Sequence, residues 1–219
     1  MFFIFIPLLL EGVPTLMATG IAVGATVFST AFLVTGWTRK SVASVVGILA
    51  GIGFSSLLLG CLSNLLYLSG YTMTDTYALL NLAHQSKLQI RFLLFSEIML
   101  ASLGAVMDIA ISITTSVDEV FIHHPGADFF TLFHSGMRVG RDIMGTMVNT
   151  LLLAFIGTSL STFLLFYAGP LQTEQIFNAD TVTMQILQIL CSGLTLVVTV
   201  PVVSAISAKL ISSNSLTRS

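Results

Sequence analysis

The sequence predicts an all-α, polytopic membrane bundle of about five full transmembrane helices preceded by an N-terminal half-span. Three observations predict it. Of 219 residues, 55 % are hydrophobic and only 8 % charged, against about 25 % charged in a soluble domain. Mean hydropathy is +0.97, so polar groups are too few to cover the surface in water. Five continuous apolar stretches, 15–37, 41–69, 89–116, 139–168 and 183–211, each reach the ~20 residues a spanning helix requires. These runs are unbroken rather than alternating at every second residue, which selects helices over a β-barrel.

The pattern describes one transmembrane domain, 1–219. Its opening segment, 1–14, begins MFFIFIPLLL, which is apolar but too short to span and contains Pro7. It lacks the basic start and small-residue cleavage site of a signal peptide. Segment 1–14 is either re-entrant or the tail of a spanning helix that begins upstream. The second is expected, since an α-amino group at mid-membrane is costly. The first three spans occupy 15–116, a cytoplasmic amphipathic connection 117–138, and the last two spans with a tail 139–219. Within the spans, Gly20 and Gly24 form a GxxxG, and Ala43, Gly47, Gly51 and Ser55 repeat every four residues. Small residues let backbones approach in a membrane. With Gly104 and Gly145 these glycines are read as packing positions within the chain, an oligomer interface being the alternative.

Lysine and arginine placement orients the bundle. Arg39, Lys40, Arg138, Arg141, Lys209 and Arg218 fall on one side, and Lys87 and Arg91 on the other. Loop 169–182 holds Glu174 and Asp180 and no base. This asymmetry predicts a cytoplasmic C-terminus.

Several function classes are excluded. A net charge of −2 offers no basic surface for nucleic acid. Cys61 and Cys191 lie inside apolar runs, where packing is expected rather than a disulfide framework. His123 and His124 sit in a short polar loop and read as solvated. No metal or cofactor motif appears, so no cofactor is expected. An enzyme is not expected either: a serine or metal mechanism lacks its base or ligands, and Glu97 lies too far along one helix from Asp108 for a carboxylate dyad.

Two polar lines carry the candidate chemistry. On the third span Glu97, Gly104, Asp108, Ser112, Thr115 and Glu119 return to one face at helical spacing. Glu97 and Asp108 are ~16 Å apart along the axis at 1.5 Å per residue, and both are expected to look inward. On the fourth span Arg138, Asp142, Gly145 and Asn149 recur at four, three and four, with Thr146 and Thr150 beside them. Antiparallel neighbours would bring these faces together. Asp108, Glu97, Ser112 and Asn149 are the candidate proton or ion-coupling residues. Arg138, Arg141 and Asp142 are a candidate ion pair at the cytoplasmic end. The hydroxyls also read as interhelical hydrogen-bond glue. Asp108 fits that role less well, since an amide would make the same bonds without a buried charge.

At these residues the chain resembles a known family. GAVMDIAISI (104–113) followed by SGMRVGRDIMGTMVNTLLLAF (135–155) is similar to the paired signature of YibE/F-like bacterial membrane proteins. PLLLEG (7–12) and GLTLVVTVPVVSAI (193–206) also fit, so the resemblance covers nearly the whole chain. It resembles the YibF-like half, which implies a YibE-like partner. Arg138, Val148 and Phe155 stand where the family pattern more usually has Asn, Thr and Tyr, and Val148 weakens a relay through Asn149. A looser architectural resemblance extends to one half of the RND exporters and of SecD/SecF. There, a carboxylate at this place takes part in proton-coupled movement. Segment 121–140 fits the connection: after Pro125 and Gly126, Asp128 caps a short helix whose Phe129, Phe130, Leu132 and Phe133 dip into the interface. It reads as a packing element or as a lever moving with Asp108.

Two readings stand from these observations. One is a transporter or transport-coupled subunit with Asp108 as coupling site. The other is a non-catalytic assembly subunit whose partner is a YibE-like protein or a second copy.

Overall fold

The computed structural model describes residues 2–36, 39–65, 90–168 and 180–212. Every described element is a helix: α1 Phe2–Leu10, α2 Thr15–Thr35, α3 Arg39–Leu65, α4 Ile90–His123, α5 Phe129–Ala168 and α6 Asp180–Ser212. Five are long and apolar enough to cross a membrane, with stretches Thr15–Leu33, Lys40–Leu58, Ser96–His123, Phe129–Ser161 and Gln185–Ser212. This is the predicted helical bundle. The predicted second span runs to residue 69, and its last four positions lie outside the described residues, as do Lys87 and Glu174.

Local chemistry sets the breaks. After α1, Gly12 adopts φ 80°, a left-handed conformation that glycine takes without Cβ strain. Its N–H donates to the Leu9 carbonyl at 3.2 Å and the Val13 N–H to that of Leu8 at 3.2 Å, the paired bonds of a Schellman motif. Pro14 then precedes α2, and its carbonyl accepts from Met17 and Ala18 at 2.8 and 3.0 Å. Between α4 and α5 the chain turns at 124–128. Pro125 disfavours helical geometry at His124 and cannot itself donate. Asp128 caps α5: its Oδ1 accepts the Thr131 backbone N–H at 3.2 Å and the Thr131 hydroxyl.

The predicted connection, 117–138, is narrower than its pattern. α4 continues to His123, and α5 is one 40-residue helix from Phe129, so the capped helix at Asp128 runs straight into the fourth span. The reason is burial. Val117 and Leu132 are fully buried, and Val120, Phe121, Phe129 and Phe133 pack against the same core. Of the four residues expected in the interface, only Phe130 is strongly exposed, at 67 %. The segment packs the bundle.

α6 lies at the centre, against α3, α4 and α5, while α2 packs on α3 and α4 and α1 on α2. Ile48, Val106, Ile109, Ile113, Leu196, Val200 and Val203 fill the core. Phe5 and Leu9 of α1 pack with Ala18 and Ala22 of α2 in a smaller cluster. Two glycine pairs allow close approach. A Cβ on Gly47 would stand 2.8 Å from Val203 and one on Gly51 2.5 Å from Thr199, both on α6. A Cβ on Gly136 would stand 2.9 Å from Ser204 Oγ and 3.0 Å from Val117, and one on Gly140 would overlap Val200 and meet Ile113 at 3.0 Å. Gly20, Gly24, Gly104 and Gly145 face open space, so the packing expected of them inside the chain is corrected. Gly136 and Gly140, with the same four-residue spacing, take that role.

Candidate functional site

Both polar lines exist as lines, and both face away from the bundle. On α4, Glu97, Gly104, Asp108, Thr115 and Glu119 are exposed and Ser112 is half-buried. On α5, Arg138, Asp142, Gly145 and Asn149 are all exposed, with Arg141, Thr146 and Thr150. The expectation that Glu97 and Asp108 look inward is therefore corrected for the single chain. The cause is the composition of the rest of α4: Ile98, Ser102, Val106, Ile109, Ile113 and Val117 are buried against the neighbouring helices, Val106 at Gly51 of α3 and Ile113 and Val117 at the glycines of α5. A carboxylate there would displace core packing. α5 is the most open helix. Only 6 % of its apolar stretch is buried within the chain, against 50 % for α4.

Depth follows from the helical register. Gly136 packs at Val117 and Gly140 at Ile113, so α4 and α5 run antiparallel with those positions level. Continuing that register puts Asp108 level with Gly145, and Asn149 level with Gly104. Asn149 thus stands about 6 Å deeper than Asp108 along the axis, at 1.5 Å per residue. Arg141 stands about 6 Å on the other side of Asp108's level, beside Ser112.

One end of the bundle collects the charges. Lys40 Nζ on α3 meets Asp118 Oδ2 on α4 at 2.6 Å, and Glu119 meets His123 at 3.2 Å. Among the described residues these are the ion pairs. Asp142 makes none with Arg138 or Arg141, so the pair expected there is absent. An open groove of about 490 Å³ lies beside them, lined by Phe130, Thr131, His134, Ser135, Arg138 and Val139. His134 Nδ1 lies 2.9 Å from the Phe130 carbonyl oxygen. Asp128 is held below the ordinary aspartate range by its hydrogen bonds from the Thr131 hydroxyl and then the Thr131 backbone. The Lys40–Asp118 pair and the Gly136–Gly140 seam were not visible as candidates. The pair joins distant segments with no shared pattern, and the seam falls in the stretch predicted as connection.

Taking Lys40–Asp118 as the polar boundary, Asp108 lies ten residues farther in, ~15 Å along the axis. That is half of a hydrocarbon core of ~30 Å. A carboxylate at the centre of a spanning helix costs about 2.5–3.5 kcal/mol on an insertion scale. By the same register Asp142 lies level with Ile111, ~10 Å inside the boundary. The arrangement sets an ionisable group at mid-depth on an outward, polar face, with hydroxyl, amide and guanidinium groups at neighbouring levels. Such a group can take up and release a proton or cation once that face is wetted or covered.

No curated protein and no solved structure matches the chain. The family model described as YibE/F-like protein matches residues 1–213, and on that match over nearly the whole sequence the chain belongs to the YibE/F-like family.

Proposed function

We propose that this chain is a transporter or transport-coupled subunit of the bacterial plasma membrane, with Asp108 as its proton or cation coupling site. The observation that carries the reading is the carboxylate at mid-depth, on an outward face shared with Ser112, Thr115 and the α5 line. A group fixed in that place purely for packing would be an amide or hydroxyl, as in two buried interhelical contacts of this bundle. Thr114 and Ser207 hydroxyls meet at 3.0 Å and those of Thr19 and Ser96 at 2.5 Å. Asp108 alternates between neutral and charged forms as water, a cation or a base reaches it. Asn149, one turn deeper, and Ser112, one turn nearer the charged end, extend the path. Glu97 is a second station ~16 Å from Asp108. Proton coupling by the carboxylate of an RND-like half is an analogy of architecture.

The second reading is a non-catalytic assembly subunit that presents the same face to a YibE-like protein. An enzyme is disfavoured, because the acids are spread over levels and helices rather than gathered as a dyad. Orientation follows the charge asymmetry: tags at Thr38, His124 and Asn214 are expected in the cytoplasm, and tags at Thr74 and Asn178 outside.

The test compares the wild type with Asp108→Asn in proteoliposomes, with and without a YibE-like partner. The variant is expected to keep the wild-type unfolding temperature and lose pH-gradient-dependent flux. Ser112→Ala and Asn149→Ala are expected to show weaker losses. Full flux in Asp108→Asn would remove Asp108 as the coupling site and leave the assembly reading.

A further inference from the structure

We infer that the outward face of α4 and α5 is the contact surface of a twofold homodimer, in which Arg141 of each copy lies against Asp108 of the other. This goes beyond the transport reading, which names no occupant for the face, and does not depend on it. Three observations carry the argument.

The first is the mismatch between the face and lipid. Asp108, Asp142, Arg141 and Asn149 all project outward at levels inside the polar boundary set by Lys40 and Asp118. Ionisable groups at such depth face protein or water, not acyl chains. The second is the absence of a partner within the chain: Arg141, Asp142 and Asp108 form no ion pair among the described residues, although α4 and α5 pack side by side.

The third is self-complementarity. The exposed charges of the α4 line are all acidic, Glu97, Asp108 and Glu119, whereas α5 carries both arginines, with Asp142 as its one exposed acid on that line. Copies of one chain insert with the same orientation, set by the same Lys/Arg asymmetry. Their symmetry axis therefore runs along the membrane normal. A rotation about such an axis keeps every residue at its own depth and sets α4 of one copy opposite α5 of the other. Asp108 then faces Gly145, whose missing side chain leaves open space. Arg141, about 6 Å along the axis, is within reach of an extended guanidinium. Glu119 comes level with His134, and Thr115 with Arg138. The contact occurs twice, so Asp108 of each copy gains a base. An unrelated protein carries no such constraint on depth, whereas a second copy satisfies it by symmetry.

The test exploits the double contact. Asp108→Lys alone sets lysine against arginine at both contacts, and Arg141→Asp alone sets acid against acid. Each is expected to lower the dimer fraction in nanodiscs by about tenfold or more. Co-expressed under two tags, the variants restore an opposite-charge pair at both contacts of the mixed dimer only. Each tag is then expected to co-purify the other at near wild-type yield. A pairing within one chain gives no such rescue, so monomers in the mixture, or wild-type dimerisation by either variant alone, would overturn the proposal.

A second measurement covers variants that do not fold. In chains with Cys61→Ala and Cys191→Ala, Thr115→Cys under one tag and Val139→Cys under the other are expected to form a mixed-tag disulfide. Leu49→Cys with Leu190→Cys, on exposed positions of α3 and α6, are expected to stay unlinked. No mixed-tag band from the first pair, or a band only when another protein is supplied, overturns the homodimer. Flux without a dimer, or a dimer without flux, separates this inference from the transport reading.

Discussion

The seam in which α6 packs on α3, α4 and α5 and the outward α4–α5 face are both rich in small and polar residues, yet they differ in the kind of polarity they hold. In the seam, Thr195, Thr199 and Ser204 are buried and donate to carbonyls four residues back, at 2.8, 2.7 and 2.8 Å. A hydroxyl satisfies itself on its own helix and leaves room for the glycine opposite. Even the buried hydroxyls of Ser44, Ser55 and Ser192, which lack a hydrogen-bond partner among the described residues, incur only ~1–3 kcal/mol each. A carboxylate has no such local remedy. Among the described residues the spanning segments bury hydroxyls and no charged group, and in our proposal the charged outer face is completed by a second copy.

The largest expected effect breaks the seam and spares the face. Gly140→Leu places a side chain where a Cβ already overlaps Val200 and meets Ile113. α5 must then separate from α6, at a cost of 3 kcal/mol or roughly more, at the upper end of core overpacking. A Cβ on Gly145, five residues on, meets nothing within 4 Å, so Gly145→Leu is expected to change single-chain stability by less than about 0.5 kcal/mol. Unfolding of both variants in detergent, at a dilution where association is absent, separates them. Equal destabilisation would mean that the face is packed within the chain after all.

These two positions also show what the sequence makes legible. Span number, helical class and both polar lines follow from composition and the 3.6-residue repeat. Direction does not, because glycine, serine and threonine suit a packed seam and an open face alike. Gly104 and Gly145 share the small-residue signal of Gly47 and Gly51 and lie on the other side of their helices. Asp108 is recognisable from its setting in an apolar run. Its outward placement depends on which neighbours α4 packs against, and those are distant in the chain. The length of α5 is hidden for a related reason: Arg138, Arg141 and Asp142 look like a boundary, while Gly136 and Gly140 beside them make the tight contact with α6.

A smaller effect tests the glue within the seam. Thr114 Oγ1 donates to the Ala110 carbonyl at 2.7 Å and lies 3.0 Å from Ser207 Oγ, joining α4 to α6. Ser207→Ala removes one partner of a bond worth about 0.6–2 kcal/mol between membrane helices. Because Thr114 keeps its carbonyl acceptor, the loss is expected at the low end of that range. It would be read by thermal unfolding against Ser112→Ala, whose side chain is only half-buried. A larger loss at Ser112 would mean that the α4 line holds the chain together as the seam does.

The smallest effect lies outside both regions, at the cap that starts α5. The Asp128 carboxylate accepts from Thr131 and stands below its ordinary range for that reason. A carboxyl group whose folded value is depressed contributes stability above its unfolded value, ~3.9. That contribution is lost as pH falls through the folded value. The acid-dependent part of α5's first-turn stability should therefore fade only below the ordinary aspartate range. Asp128→Asn keeps an acceptor for the Thr131 backbone N–H and removes the titration. Amide exchange at Thr131 and Leu132, followed from neutral to acid pH, is expected to lose protection in the wild type and to change less in the variant. Reading the exchange at Thr131 and Leu132 isolates the cap from any acid-sensitive step elsewhere in the chain. If the wild type and Asp128→Asn lose first-turn protection together, the acid-sensitive step lies elsewhere in the chain and the cap is a passive stop after Pro125.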